Sequence, residues 1–169
     1  ARAYSLSMVV SGTDGYIGGY SGDVTRPFRQ QAVYWKNGSM VTLTDGTTNA
    51  IANSIIVNGT DVYVAGRENA GGTQTAKYWK NGVPVVLGNG TAYAEATSIA
   101  LSGNTVYVAG YEDGPSGQIA KYWKNNDAIL LNEGGNQGKC NSIVTSGNDI
   151  YMCGVSGTRS NTRALCWKN

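Results

Sequence analysis

The sequence predicts an all-β fold made of four similar repeats, and three observations carry this prediction. The phrase Tyr-Trp-Lys-Asn, or a close variant, occurs four times in the 169 residues, and its tryptophans are 44 residues apart. A second phrase, VYVAG, occurs at 62–66 and 106–110, with the variants GYIGG at 15–19 and IYMCG at 150–154. The 24 glycines and the absence of helical periodicity favour short strands joined by tight turns. The tryptophans are Trp35, Trp79, Trp123 and Trp167.

Each repeat is predicted to contain four strands. The first is a Ser-Ile phrase such as SIIVNG at 54–59, which ends in a tight turn, and the second is the VYVAG phrase, rich in β-branched and aromatic residues. The third strand is the tryptophan phrase. The Asn-Gly or Asn-Asn pair that follows is typical of a two-residue hairpin turn, because both turn residues need positive φ. The fourth strand is MVTL at 40–43, VPVVL at 83–87 or DAILL at 127–131.

The connections between these strands differ in length. The stretch TDGTTNAIAN at 44–53 is predicted to be a loop that leads from the fourth strand to the next repeat. Pro84 has no N–H to donate, so the fourth strand is predicted to lie at a sheet edge. The loop YSGDVTRPFRQQ at 20–31 makes the first repeat three residues longer than the others.

The repeat length indicates a particular architecture. Repeats of ~40–50 residues with four strands each are typical of β-propeller blades. Val62 and Val64 alternate with Tyr63 and Ala65, so both faces of the second strand are apolar, as expected for a blade packed between two neighbours. The prediction is a single β-propeller domain over 1–169, with repeats at about 1–48, 49–92, 93–136 and 137–169.

The last repeat is predicted to lack its outer strand, because the pattern stops at Asn169 where the fourth strand would begin. An unpaired strand edge is a template for pairing with another chain. We therefore expect the edge formed by Leu165, Trp167 and Asn169 to be completed by a neighbouring subunit, or by a segment lost on processing. An alternative is that two chains share one eight-bladed ring.

The composition argues against several classes of function. The chain has no histidine, so it has no conventional catalytic triad and no imidazole metal ligand. Its carboxylates are scattered through predicted turns, where Asp suits the local geometry. The net charge of +2 is too small to favour nucleic acid, and no apolar run reaches the ~20 residues of a membrane span. We expect no catalytic residue, no cofactor and no metal.

The repeated aromatic and lysine residues allow two interpretations each. The aromatic residues either pack between blades or form one sugar-stacking platform per blade, as in a multivalent lectin. The lysines either protect strand edges from aggregation or bind an anionic polysaccharide. Less repetitive residues in the predicted connecting loops are the better ligand candidates, because loops on a rigid scaffold often carry binding. These are Asn49, Tyr93, Glu95 and Gln137.

The three cysteines all lie in the last repeat. By the repeat period, Cys153 replaces an alanine and Cys166 a tyrosine, and antiparallel pairing of the second and third strands brings the two positions opposite each other. We predict a Cys153–Cys166 disulfide, which leaves Cys140 free or paired between molecules. The glycosylation pattern Asn-X-Ser/Thr occurs at Asn37, Asn58 and Asn89, although Asn-Gly turns also generate it.

The composite phrase S-I-x-x-x-G-x-x-V-Y-V-A-G … A-x-Y-W-K-N-G resembles repeats of bacterial secreted or surface proteins of the β-propeller kind. This resemblance covers nearly the whole chain. It implies an extracellular or cell-surface module without enzymatic activity or cofactor. The expected function is therefore that of a structural or adhesive repeat module whose partner is another copy, in a homo-oligomer or filament, or a surface glycan or protein. A glycan-binding lectin is the alternative.

Overall fold

A computed structural model describes residues 2–22, 29–131, 137–158 and 161–169, and within these ranges the chain is all β. The strands form four antiparallel sheets, each made of strands that follow one another in the chain. The described residues include no helix that could cross a membrane. Residues 23–28 of the longer loop in the first repeat lie outside the described ranges.

The strands are numbered in chain order. The first sheet comprises β1 (Arg2–Ser11), β2 (Asp14–Gly22), β3 (Gln30–Lys36) and β4 (Ser39–Thr42). The second sheet comprises β5 (Asn49–Asn58), β6 (Asp61–Ala70), β7 (Thr73–Lys80) and β8 (Val83–Val86). The third sheet comprises β9 (Ala94–Ser102), β10 (Thr105–Gly114), β11 (Gly117–Lys124) and β12 (Asp127–Leu130). The fourth sheet comprises β13 (Gln137–Ser146), β14 (Asp149–Thr158) and β15 (Asn161–Lys168).

The hairpin turns confirm the turn chemistry read from the sequence. Asn37 and Gly38 have φ of 49° and 83°, and Asn81 and Gly82 repeat these values within 2°. Asn125 and Asn126 have φ of 53° and 109°, so a turn with positive φ at both positions also forms in the third repeat, although an asparagine replaces the glycine. Pro84 lies on β8, an edge strand of its sheet, as predicted.

The prediction for the start of each repeat is wrong in part. The stretch at 44–53 was expected to be a loop, but β5 already begins at Asn49; β13 begins at the equivalent position, and β9 begins one residue later in its repeat. Ala50 and Ala52 on this early part of β5 are fully buried against the first sheet. The strand forms because small side chains allow this close packing, which outweighs the weak β-propensity of alanine.

The sheets are stacked in chain order. The extensive contacts between strands of different sheets all join sheets that follow each other in the chain. The first strands β1, β5, β9 and β13 lie next to one another, whereas β4, β8 and β12 contact mainly their own sheets. The sheets are thus close together at their first strands and separate at their outer strands.

Candidate interaction faces

The three interfaces between consecutive sheets repeat one design. We call the face of a sheet on the side of the next sheet in the chain its trailing face. The opposite face, on the side of the preceding sheet, is its leading face. In the interface between the first two sheets, Tyr16 and Ala32 of the trailing face meet Ala52, Ile55 and Trp79 of the leading face. The other two interfaces contain residues at the equivalent positions of their own repeats: Tyr63, Ala76, Ala96, Ile99 and Trp123, then Tyr107, Ala120, Cys140, Ile143 and Trp167.

A hydrogen bond between backbone and side chain also recurs at every interface. The Ile55 N–H donates to Ser7 Oγ at 3.2 Å, and the Ile99 N–H donates to Ser54 Oγ at 3.3 Å. The third copy, Ile143 N–H to Ser98 Oγ, measures 3.2 Å. The serine of each Ser-Ile phrase therefore links its sheet to the next one, which explains why the phrase recurs.

Among the described residues, no other sheet packs on the leading face of the first sheet. Met8 is 66% exposed, whereas the isoleucines at the equivalent positions of the other three repeats are 2–5% exposed. Val10 is 61% exposed, and Ala3 and Ser5 are exposed where the other repeats bury alanine, glycine or cysteine. A groove of about 250 Å³ lies on this side, lined by Ser5, Leu6, Ser7, Met8 and Ile17. We call Ala3, Ser5, Met8, Val10 and Ile17 the free leading face.

The trailing face of the fourth sheet is uncovered in the same way. Tyr151 is 40% exposed, whereas its three equivalents are 6–8% exposed. Ala164 is exposed where the three equivalent alanines are fully buried, and Val144 is 56% exposed. We call Val144, Tyr151, Cys153, Ala164 and Cys166 the free trailing face.

Two of the cysteines lie on the free trailing face. Cys153 and Cys166 are directly opposite in the β14–β15 ladder, so the predicted register is confirmed. Because Asn169 N–H donates to the Ile150 carbonyl, the alternation of the ladder makes Cys153–Cys166 a pair without backbone hydrogen bonds. The Cα atoms of such pairs are ~4.5 Å apart, within the range of disulfides. Both thiols are free and exposed in the structure, and the disulfide remains a prediction.

The third cysteine is in a different environment. Cys140 is fully buried in the interface between the third and fourth sheets. Burial raises the pKa of its thiol to about 12. The thiol is therefore protonated and shielded at neutral pH, and unreactive while the sheets stay packed.

The repeated aromatic residues are mostly structural. At the repeated tyrosine position, the side chains of the first three repeats are buried between sheets, and so are Trp79 and Trp123. This contradicts the interpretation of these residues as sugar-stacking platforms in those repeats. The exposed Tyr151 belongs to the free trailing face.

The repeated asparagine and, in three of the four repeats, the repeated lysine hold their strand to the start of the second strand. In the second repeat Lys80 Nζ lies 2.9 Å from Asp61 Oδ2, and Asn81 Nδ2 donates to Asp61 Oδ1 at 2.8 Å. The asparagine and lysine together hold the pKa of Asp61 below its usual value. The same lysine–aspartate pair recurs as Lys36–Asp14 and Lys168–Asp149. These lysines are thus engaged in the fold, which weakens the polysaccharide interpretation.

The ligand candidates read from the sequence are not loop residues as a group. Asn49, Glu95 and Gln137 lie on β5, β9 and β13, so their assignment to connecting loops is wrong, for the packing reason given above. Tyr93 precedes β9 and is exposed, as expected for a loop residue. These four residues belong to different sheets or loops and do not build one shared pocket among the described grooves.

Glu95 instead forms part of a polar cluster between the second and third sheets. Its carboxylate accepts hydrogen bonds from Tyr111 Oη at 2.8 Å and from Asn53 Nδ2 at 2.9 Å. Arg67 Nε lies 3.6 Å from the same carboxylate. Burial, assisted by the hydrogen bond to Glu95, raises the pKa of Tyr111. Side chains of both sheets thus hold the Glu95 carboxylate, whereas Arg67 Nε is buried without a hydrogen-bond partner among the described residues.

The glycosylation candidates also differ from one another. Asn37 uses both ends of its amide, donating to Asp14 Oδ1 at 2.8 Å and accepting the Gly15 N–H at 2.9 Å. A glycan on Asn37 would disturb this closure. Asn58 and Asn89 are exposed, and Asn89 Oδ1 accepts the Thr91 N–H at 3.1 Å.

The predicted assembly edge lies on β15, the last strand of the fourth sheet. Trp167 packs against the third sheet and is half-buried, whereas Leu165 is exposed. Asn169 closes its hairpin by accepting the Ile150 N–H at 2.6 Å. A groove of about 350 Å³ beside this edge is lined by Ser156, Gly157, Thr158, Asn161, Arg163 and Leu165. Pairing at this edge remains a prediction.

Two partly buried ion pairs were missed at the level of sequence. Lys77 Nζ lies 2.6 Å from Glu68 Oε2, and Lys121 Nζ lies 3.0 Å from Glu112 Oε2. The repeat alignment contains the signal, because the first and fourth repeats replace both members together. They have Ser21 with Val33, and Ser156 with Leu165.

The described residues include no candidate metal centre. No group of three or more acidic or cysteine side chains there is placed to hold a metal ion. Comparison with known proteins gives no match, either to a protein-family model or to a curated protein.

Proposed function

We propose that this chain is a non-enzymatic structural module of the β-propeller type, which acts by associating through its uncovered sheet faces. The observation that carries the proposal is a difference in side-chain exposure between the two outermost sheet faces and the equivalent positions at the internal interfaces. Met8 and Tyr151 are 66% and 40% exposed, whereas their equivalents at each internal interface are buried. The two ends of the stack thus present the apolar surfaces that the interior of the same protein covers.

The arrangement of the sheets supports the propeller part of this proposal. Strands β1, β5, β9 and β13 lie side by side, and the outer strands diverge from one another. Four-stranded antiparallel sheets that meet at their first strands are the blades of a propeller. The repeated serine–backbone hydrogen bonds hold consecutive blades in one fixed relation.

Burial energy supports the association part. Full burial of a valine- or methionine-sized side chain contributes about 1.5–3 kcal/mol relative to leaving it exposed. Met8 and Val10 on the free leading face, with Val144 and Tyr151 on the free trailing face, remain largely exposed in the single chain. Contiguous exposed apolar surface is typical of protein–protein contact sites. An extracellular location, and an adhesive role there, belong to the same proposal and rest on the resemblance noted above.

A lectin-like function has weaker support. It needs an equivalent exposed aromatic residue in several blades, and the repeated tyrosines Tyr16, Tyr63 and Tyr107 are buried.

The proposal is tested by the mass of the native particle. Light scattering and sedimentation, over a wide concentration range and with reductant present, should give a mass above 17.8 kDa that rises with concentration. A mass that stays at 17.8 kDa at every concentration would refute association.

A further inference from the structure

We infer that the partner of the free leading face is the free trailing face of a second copy, and that two copies close a ring of eight sheets. This inference rests on the proposed function and names its partner. It also specifies which residues meet, which the proposal of association alone does not.

The two free faces match each other because the repeats match. At the first internal interface Ile55 shares a cluster with Val9 and Tyr16 of the preceding sheet. Met8 occupies the position of Ile55, while Val144 and Tyr151 occupy the positions of Val9 and Tyr16. A first sheet placed behind a fourth sheet therefore recreates the internal interface.

The polar contacts of the internal interfaces also find their partners. The Met8 N–H points away from β2, since Ser11 and Asp14 close the β1–β2 hairpin and the ladder alternates from that pair. Ser142 is the equivalent of Ser7, Ser54 and Ser98, each of which accepts an isoleucine N–H from the next sheet. Across the new interface, Met8 N–H donates to Ser142 Oγ.

A second polar contact follows from the same alignment. Asn53 Nδ2 donates to the Ala96 carbonyl at 2.9 Å, and Thr97 Oγ1 donates to the Cys140 carbonyl at 2.7 Å. Asn141 is the next residue in this series and is exposed. Its acceptor in a second copy is the Ser5 carbonyl, which stands at the position of Ala96 and Cys140.

The number of copies follows from the number of sheets. Each chain supplies four sheets, and propellers typically contain about 4–8 blades. The four sheets of one chain do not close on themselves, since Met8 and Tyr151 at its two ends are exposed. Two chains reach eight blades, whereas three would exceed the range. A head-to-tail contact used twice closes the ring without leaving a free face.

The test uses two single substitutions, one on each free face. Met8→Lys places a charge on the free leading face, and Val144→Glu places the opposite charge on the free trailing face. Both positions are exposed in the single chain, so each variant is expected to keep its fold, which circular dichroism verifies. The matched control is Val83→Lys, because Val83 is 65% exposed but lies on β8 of the second sheet.

The expected mass of the unmodified chain in reductant is twice 17.8 kDa. Each face variant alone should dissociate at a concentration at least ten times higher than the unmodified chain, since both interfaces of the ring carry the charge. Val83→Lys should leave the dimer unchanged. An equimolar mixture of Met8→Lys and Val144→Glu should restore the dimer, because one interface is then unmodified and the other apposes opposite charges.

Other results separate the inference from the function on which it rests. If the unmodified chain is monomeric at all concentrations, the proposed function fails, and the inference fails with it. If the chain associates but neither face variant weakens association, the faces are not the contact, and the inference fails together with the face-mediated part of the proposed function. If only one face variant weakens it, or the mixture does not recover, the contact is not head-to-tail. A stable mass other than the dimer overturns the ring of eight sheets.

Discussion

Gly66 is a position at which a single added methyl group should destabilise the fold strongly. An ideal Cβ built on Gly66 would lie 1.9 Å from the Ile51 carbonyl oxygen and 3.1 Å from Ala52 Cα. Both atoms are backbone of β5, next to the register shift between Ala52 and Ser54. The clash cannot be relieved by rotating a side chain.

The magnitude follows from this distance. Ordinary Cβ contacts begin near 3.4 Å, so the Ile51 carbonyl would have to move by about 1.5 Å. Ala50 and Ala52, on the same strand, are fully buried against the first sheet and leave no free space for such a shift. Overpacking typically costs about 1–3 kcal/mol, and sometimes more. Because backbone must move, we expect Gly66→Ala to cost about 3 kcal/mol or more, and to lower Tm by roughly 6–12 °C.

Urea and thermal unfolding, followed by circular dichroism at one protein concentration, measure this cost. The matched control is Gly18→Ala, where a Cβ would make an ordinary contact of 3.4 Å with Ile55 Cβ. The equivalent residues Ala65 and Ala109 already carry this methyl group. Gly18→Ala should stay within about 1 kcal/mol of the unmodified chain. If Gly66→Ala is equally mild, or Gly18→Ala is equally damaging, the close approach of β5 and β6 does not constrain the sheet as we describe.

Three further predictions concern charges and thiols. Glu112→Ser should destabilise the fold by about 2–4 kcal/mol, because it leaves Lys121 buried without its counter-ion; combining it with Lys121→Leu should recover most of this loss in urea unfolding. The pKa of Asp61 is lower in the folded protein than in the unfolded chain, so this carboxylate stabilises the fold at pH values above the unfolded pKa. The stabilisation is lost as the pH falls through the folded pKa. The Tm difference between the unmodified chain and Asp61→Asn should therefore shrink below about pH 4, and it should be small because the pair is exposed. Oxidation by oxidised glutathione should join Cys153 to Cys166, with a mass loss of two hydrogen atoms per chain and one thiol left to alkylate in denaturant.

Each of these predictions has a result that contradicts it. A double variant no more stable than Glu112→Ser would show that the buried pair is not replaceable as a unit. A Tm difference for Asp61→Asn that grows on acidification would reverse the sign of the linkage. Three alkylatable thiols after oxidation would exclude the disulfide despite the favourable register.

Much of the fold could be predicted because the same strand and turn pattern occurs several times in the sequence. The hairpin turns were predictable from Asn-Gly, since few other pairs adopt positive φ at both positions. The opposition of Cys153 and Cys166 was predictable because the tight turns fix the strand register. The early part of β5 was not predictable, because Ala50 and Ala52 form a strand only through packing on the first sheet.

The free faces could not be read from the sequence for a related reason. Met8 and Ile55 are both apolar, and hydrophobicity alone does not say whether a neighbouring sheet covers them. The difference between 66% and 4% exposure depends on whether a neighbouring sheet packs on the side chain, which is a property of the three-dimensional arrangement. The two lysine–glutamate ion pairs could have been predicted more easily, because lysine and glutamate are gained and lost together between repeats.

The likeness of the interfaces also creates a problem of folding fidelity. A newly made chain contains several sheets whose apolar faces could dock in the wrong order, so that the first sheet settles on the third. Polar contacts specific to one interface distinguish the correct order. Asn53 and Arg67 of the second sheet contact Glu95 of the third sheet. At the positions of Asn53 and Arg67, the first sheet has Leu6 and Tyr20, which cannot make these contacts. A chain whose sheets packed in the wrong order would bury Glu95 without those partners, and the desolvation of its charge would destabilise that arrangement. The residues that differ between otherwise similar repeats thus favour the packing of each sheet on its correct neighbour.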